Sequence, residues 1–235
     1  MALIGHLDFA RLMDRAIRRA ALPIAFTGGF HPGPRISPAN ALPLGVTSTG
    51  ELIDFELTNV VNANEFRTKL QAQLPEDVPI YSVEEISLQL PSSTKSLDKA
   101  TYFLALNAVP TEAEGSDAPA APNVSAENWA GWIEQVLAAP EIMHTKTTKS
   151  GKKKEVDLRS RLFDLTRVDT ASLENLPKTV ASQLQNSGQC IVRYVGSCRN
   201  DGTLLRPRGV LAMLESVSQQ SLALGHIHRK QLILA

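Results

Sequence analysis

A chain of 235 residues with 43% hydrophobic and 20% charged content has the length to bury one large core or two small ones. Its 24 basic and 24 acidic residues cancel, so the net charge gives no reason to expect a nucleic acid or an anionic membrane as partner. No apolar run approaches the ~20 residues that span a bilayer, the N-terminus lacks the order of a signal peptide, and two cysteines are too few for a thiolate zinc site, so a reducing, cytoplasmic location is expected.

Residues 1–4 read as the stub of a first strand. A helix follows, with Phe9, Leu12, Met13, Ala16, Ile17 and Ala20 on one side and Arg11, Arg15 and Arg18 on another. Asp8 is placed to cap it, and Pro23 stops it near Leu22. Residues 24–27 suit a short strand. The stretch 23–50, PIAFTGGFHPGPRISPANALPLGVTSTG, holds five of the 14 prolines and five of the 14 glycines, which excludes a regular helix or central strand. Apolar residues interleaved with the turn formers, Phe26, Phe30 and Leu44 among them, are expected to pin this loop to a core.

Residues 51–58 alternate as a half-buried strand, Asn62 or Asn64 caps a helix ending before Pro75, and residues 78–90 alternate as another strand. The first half then has the βαββαβ order of a ferredoxin-like unit, over residues 1–92. In residues 93–235 the pattern continues: a strand at 101–109, an acidic, Pro/Ala-rich loop at 110–124 expected to be mobile, and a helix at 126–139 behind Ser125. A hairpin over 141–158 has a lysine-rich tip with Lys149, Lys152, Lys153 and Lys154. Further strands are expected at 161–168, 189–196 and 227–234, a loosely patterned helix or loop at 171–185, and a helix at 207–216 opening on proline. The expected fold class is α+β, two tandem ferredoxin-like units with the second elaborated and the first strand truncated.

Charge is segregated although its total is zero. Residues 9–35 carry five arginines and one aspartate, residues 111–145 six carboxylates and no lysine or arginine, and residues 146–167 eight basic and three acidic groups. Guanidinium groups spaced by a helical turn, Arg11, Arg15 and Arg18 with Arg19 and Arg35 beside them, suit successive phosphates of a nucleic acid backbone. A solvated helix face is the competing reading, and for Lys152, Lys153 and Lys154 a solvated hairpin tip. His6, Asp8, His31 and Asp54 or Glu56 are competent metal ligands without ligand spacing, so no metal and no cofactor is expected. His31 lacks a sequence neighbour fit to act as nucleophile or orienting carboxylate, and the paired glycines Gly28 and Gly29 fit neither phosphate-loop nor dinucleotide-binding patterns.

The opening stretch resembles the radical-SAM-linked bacterial domain family of unknown function. The resemblance rests on His6-Leu7-Asp8, Arg18-Arg19, Gly29-Phe30 before His31, Pro32, Pro34, Arg35-Ile36-Ser37, Leu42-Pro43-Leu44-Gly45, Ser48 and Gly50-Glu51. Glu155-Val156-Asp157-Leu158-Arg159, Leu205-Arg206-Pro207 and Ile227-His228-Arg229 extend it over nearly the whole chain. It implies a partner, a radical-SAM enzyme on a separate or fused chain; the cysteine motif of such an enzyme is absent here. It implies no reaction.

These readings converge on an accessory RNA-binding or substrate-presenting domain, acting with that enzyme on tRNA or rRNA and away from membranes. Two other readings compete: an RNA-acting enzyme using His6 and His31 with nearby acids, and a protein-interaction module docking through the acidic segment 111–145.

Overall fold

Helix α1 (His6–Arg19) forms where the arginine-bearing periodicity predicts it. Its cap differs from the expectation: Gly5 holds the N-cap position, and Asp8 lies in the first turn, where its carboxylate meets the Arg11 guanidinium at 3.3 Å. The computed structural model describes residues 5–110, 123–147, 151–169 and 171–235, so the expected first strand at 1–4, most of the acidic loop and Lys149 lie outside the described residues. Within them the protein is a mixed α and β fold with six α-helices and several sheets, divided into two compact units at Leu97/Asp98.

The first unit is built on short strands. β1 (Ile36–Pro38) and β3 (Ile53–Phe55) pair antiparallel, with Ser37 opposite Asp54, while β2 (Thr47–Ser48) lies in the connection between them. Asn62 caps α2 (Ala63–Gln71), its side chain accepting from the Asn64 and Glu65 amides. Phe66 and Leu70 on α2 pack with Ala16 and Ile17 of α1, with Ala20 at its C-cap, and with Leu22 and Ile24. Burial of two such large side chains contributes on the order of 1.5–3 kcal/mol each.

Residues 78–90 are not a strand: Val83 packs on this core, while Ile86 and Leu88, the apolar members of the alternate set, are exposed. At Ile80, side chains of α2 take the backbone groups that a ladder would use. The Ile80 amide donates to Gln71 Oε1 at 2.6 Å, and Arg67 Nε donates to the Ile80 carbonyl at 3.0 Å. A period of two sorts residues onto two faces but supplies no partner strand. Four strands in each half are therefore not what the described residues of the first unit contain, and the tandem arrangement expected from element order is not shown.

Short helix α3 (Ser93–Ser96) leads into β4 (Leu97–Ala108), whose twelve residues are almost all buried. Next come α4 (Ala126–Ala138), capped by the Ser125 hydroxyl, then the hairpin β5 (Met143–Thr147) and β6 (Lys153–Asp157), and β7 (Leu162–Val168). Helix α5 (Lys178–Asn186), strand β8 (Cys190–Ser197), helix α6 (Pro207–Ser218) and strand β9 (Leu222–Leu234) complete the chain. In the second unit the strands lie in the order β9-β4-β8-β7, with β8 antiparallel to both neighbours and Phe163 bulged out of the β7 ladder.

The sheet is covered on the side of Phe103 and Ala105 by the segment between β7 and β8, through Leu173, Leu176, Val180 and Leu184. On the alternate side Leu104, Val192 and Tyr194 are fully buried, and Tyr102 stacks on Tyr194 with centroids 5.1 Å apart. Helix α4 packs against α6 and β7. Gly225 is required on β9: a Cβ there would overlap the Ser187 carbonyl oxygen, which also accepts from Asn107 Nδ2 at 2.7 Å.

Candidate nucleic-acid interface

The Gly/Pro stretch is a closed loop in the structure. Antiparallel bridges Ile24–Leu57 and Phe26–Pro34 set its stem, with the Ala25 amide on the Glu56 carbonyl and the Arg35 amide on the Ala25 carbonyl, each at 2.8 Å. Thr27 then closes the neck twice: its amide donates to the Gly33 carbonyl at 2.9 Å, and its hydroxyl accepts from the Gly33 amide at 3.0 Å. Gly28, Gly29, Phe30, His31 and Pro32 form the exposed tip. Gly29 has φ of 105°, a conformation that side-chain-bearing residues rarely adopt, and it swings the chain so that Phe30 stands outward.

The expectation that Phe26, Phe30 and Leu44 anchor the loop is overturned by their exposure, which is 41%, 101% and 67% respectively. Ile24, Val46 and the half-buried Ile36 do the anchoring. A period-free stretch rich in turn residues gives no way to say which apolar side chain faces in.

The arginines are less free than their count suggests. Arg11 is paired with Asp8, Arg18 Nε with Asp14 at 2.7 Å, and Arg35 Nη1 with Glu56 at 2.8 Å. Arg18 also lies over the Phe26 ring, 5.0 Å from its centroid, and Arg19 donates to the Gln73 carbonyl at 2.8 Å. Arg15 is exposed without an ion pair among the described residues. Such half-exposed pairs contribute about 0–1 kcal/mol, so a phosphate can compete for each guanidinium.

The rest of the signature residues shape backbone. Leu44 and Gly45 are the central pair of a turn closed by the Val46 amide on the Pro43 carbonyl at 3.2 Å, with Gly45 at φ 85°. Ser48 donates to the Glu51 carboxylate at 2.5 Å. Ser37 sits in the β1–β3 ladder.

For a catalytic or metal reading the arrangement is unhelpful. Among the described residues no three His, Cys, Asp or Glu side chains are grouped to hold a metal. Asp54 accepts from the Ser93 amide at 2.8 Å and from its hydroxyl, and Glu56 is held by Arg35. His31 is exposed and makes no hydrogen bond or ion pair among the described residues. Cys190 and Cys198 are buried and not joined in a disulfide, and burial pushes the Cys190 thiol up to about 12, far from a nucleophile at neutral pH.

In the second unit the motif residues 155–159 are scaffold for a cationic ribbon. Asp157 accepts from the Ile142, Arg159 and Ser160 amides at 3.0, 2.9 and 3.2 Å. Burial would raise the Asp157 carboxyl, but these donors outweigh it and hold the group below the ordinary aspartate range. Arg159 ties the ribbon's base to its surroundings, donating to the Leu162 carbonyl at 3.0 Å and to the Leu137 carbonyl at 2.9 Å. From that base Lys146, Lys153 and Lys154 project into solvent, with Lys152 just ahead of β6.

The family model that describes uncharacterized proteins conserved in bacteria (DUF2344) matches residues 1–207. The chain belongs to that family. The matched span covers the loop, the arginine helix and the lysine ribbon alike. No curated protein matches the chain. The buried motif His228-Arg229 lies beyond the match on β9, where both side chains are fully buried and Arg229 Nη1 donates to the Tyr102 hydroxyl at 3.4 Å.

Proposed function

We propose that this DUF2344 protein is a non-catalytic RNA-binding accessory module, which presents tRNA or rRNA to a radical-SAM enzyme in the cytoplasm. One observation carries the RNA half of the reading: a loop locked at its neck by Thr27 holds Phe30 wholly in solvent, with Arg35 at its stem and Arg18 stacked on Phe26. An aromatic ring held out beside guanidinium groups is a stacking platform for an unpaired base, with the cations meeting the backbone phosphates. The partner enzyme rests on the resemblance of the 6–51 signature to radical-SAM-linked domains. Among the described residues no helix is long and apolar enough to cross a membrane, which suits a partner of this kind.

The finer reading of the second unit is a ferredoxin-like βαββαβ unit into which the β5–β6 ribbon is inserted. Its support is the order β9-β4-β8-β7, with α4 and α6 as the two crossovers. RNA-recognition sheets of this class stack bases on their helix-free face. Leu173, Leu176, Val180 and Leu184 cover much of such a face here, so loop and ribbon are the surfaces left to act.

Anisotropy of labelled tRNA and rRNA fragments with the whole chain tests the proposal. Phe30→Ala should weaken binding on the order of tenfold, in line with the loss of one stacked base, and leave the melting temperature unchanged because the ring touches no core. Absence of binding to any RNA at low salt would remove the proposal.

A further inference from the structure

The β5–β6 ribbon has two chemically different faces. Residues directly opposite in an antiparallel pair share a face, and successive residues alternate. The register pairs His144 with Val156 and Lys146 with Lys154 on one face, and Met143 with Asp157, Thr145 with Glu155 and Thr147 with Lys153 on the other. The first face therefore carries two opposed lysines and an imidazole with no carboxylate. On the second, Lys153 is offset by Glu155. Every residue of β5, and Lys153, Lys154 and Glu155 of β6, is exposed.

That arrangement works against the ribbon's own stability. Two-stranded ribbons are marginal in water, and like charges directly opposite destabilise them by about 0.2–1 kcal/mol. Asp157 and Arg159 nonetheless hold its base through five hydrogen bonds to backbone groups, at 2.9–3.2 Å. An ammonium pair fixed in this way is relieved by a polyanion.

We propose that the Lys146/Lys154 face contacts the phosphate backbone of a double-helical nucleic acid without reading its sequence. The ribbon strands have no Phe, Tyr or Trp, and the imidazole of His144 is the one ring on this face, so unpaired bases have little to stack on there. Met143 is the large exposed apolar residue of the ribbon and lies on the other face, which argues against an apolar protein partner or a lipid surface. A duplex presents one phosphate charge per ~1.7 Å of axis, dense enough to engage both ammoniums at once, and such contacts position a helix without specifying it. The inference rests on the reading of the chain as a nucleic-acid binder, but through an element separate from the Phe30 loop.

Binding of the full chain to duplexes of about 20 base pairs, as RNA and as DNA, and to the unpaired strands, measured between about 50 and 200 mM salt, tests it. The double variant Lys146→Gln/Lys154→Gln should lose about tenfold in duplex affinity near 100 mM salt, and the slope against log salt should fall by about 2. Lys153→Gln, on the opposite face, should change affinity by less than about twofold, and Phe30→Ala should leave duplex binding unaltered. Equal losses on RNA and DNA duplexes support a phosphate contact, and a loss confined to the RNA duplex supports the same contact on an A-form helix. A double variant that binds duplex as the parent does, or a Lys153→Gln variant as impaired as the double one, overturns the proposal. Loss of the Phe30 effect on single strands with the duplex effect intact would instead remove only the loop reading.

Discussion

Two stretches of this chain concentrate positive charge, and they handle it in opposite ways. On α1 and the loop, the guanidinium groups of Arg11, Arg18 and Arg35 each meet a carboxylate, so the arginine stripe is a set of exchangeable ion pairs. On the ribbon, Lys146 and Lys154 face each other. The difference shows that segregated charge in a sequence is not yet available charge. Availability is decided by where the carboxylates fall: Asp14 lies one helical turn from Arg18, whereas Glu155 alternates to the ribbon's other face.

A third way of treating a basic group bounds the comparison and gives the largest expected effect. His228 is fully buried, and burial, helped by the nearby His226 and Lys230, lowers its imidazole to about 4. The folded state thus keeps it neutral while the unfolded chain protonates it near the ordinary 6.5. Stability from this group is complete above about pH 6.5, declines as pH falls towards 4 and is flat below, with a total on the order of 3 kcal/mol. Urea unfolding followed from pH 7.5 to 4 should show that decline, and His228→Gln should flatten it. An unchanged profile in the variant would assign the pH dependence elsewhere.

Next in size is the ribbon's anchor. Asp157→Ala leaves the Ile142, Arg159 and Ser160 amides without their acceptor, and loss of such a cap costs about 1–2 kcal/mol. The ribbon would then lose its fixed base, so duplex affinity should drop together with stability, whereas Lys146→Gln/Lys154→Gln should reduce affinity and leave stability equal or slightly raised. Parallel chemical denaturation and binding curves separate the two. If Asp157→Ala left both unaltered, the hydrogen-bonded base would not be what presents the lysines.

How far the sequence foretold these features depended on the element. Strong helical periodicity placed α1, and caps placed α2 and α4, because Asn62 and Ser125 satisfy amides within their own first turns. Proline opens α6 for an equally local reason. Residues 78–90 failed because alternation is local while a ladder needs a partner, and Gln71 and Arg67 had already bonded the backbone at Ile80. The ribbon was legible as a hairpin, but its two-faced character needed the register. Phe30 was named within the signature and misread as an anchor, since exposure in an aperiodic loop follows from the Thr27–Gly33 closure and the left-handed Gly29. The burial of His228 and Arg229 was equally hidden: a strand histidine beside an arginine fits a satisfied or an exposed place until the neighbouring strands are set.

The smallest expected effect is the most direct probe of the contrast. Asp14→Ala removes the carboxylate that holds Arg18 Nε at 2.7 Å, and alanine is the better helix former at that interior position. Stability should therefore shift by no more than about 0.5 kcal/mol, because the half-exposed ion pair and the propensity gain nearly offset. Arg18 would keep its place over Phe26, now with its charge unneutralised and aimed at whatever Phe30 stacks upon. Affinity for unpaired RNA should rise a few-fold, about one more phosphate contact should appear in its salt slope, and duplex affinity should stay as it was. A rise in duplex affinity of the same size would mean that the arginine helix and the ribbon serve one target, and the division of labour between them would have to be given up.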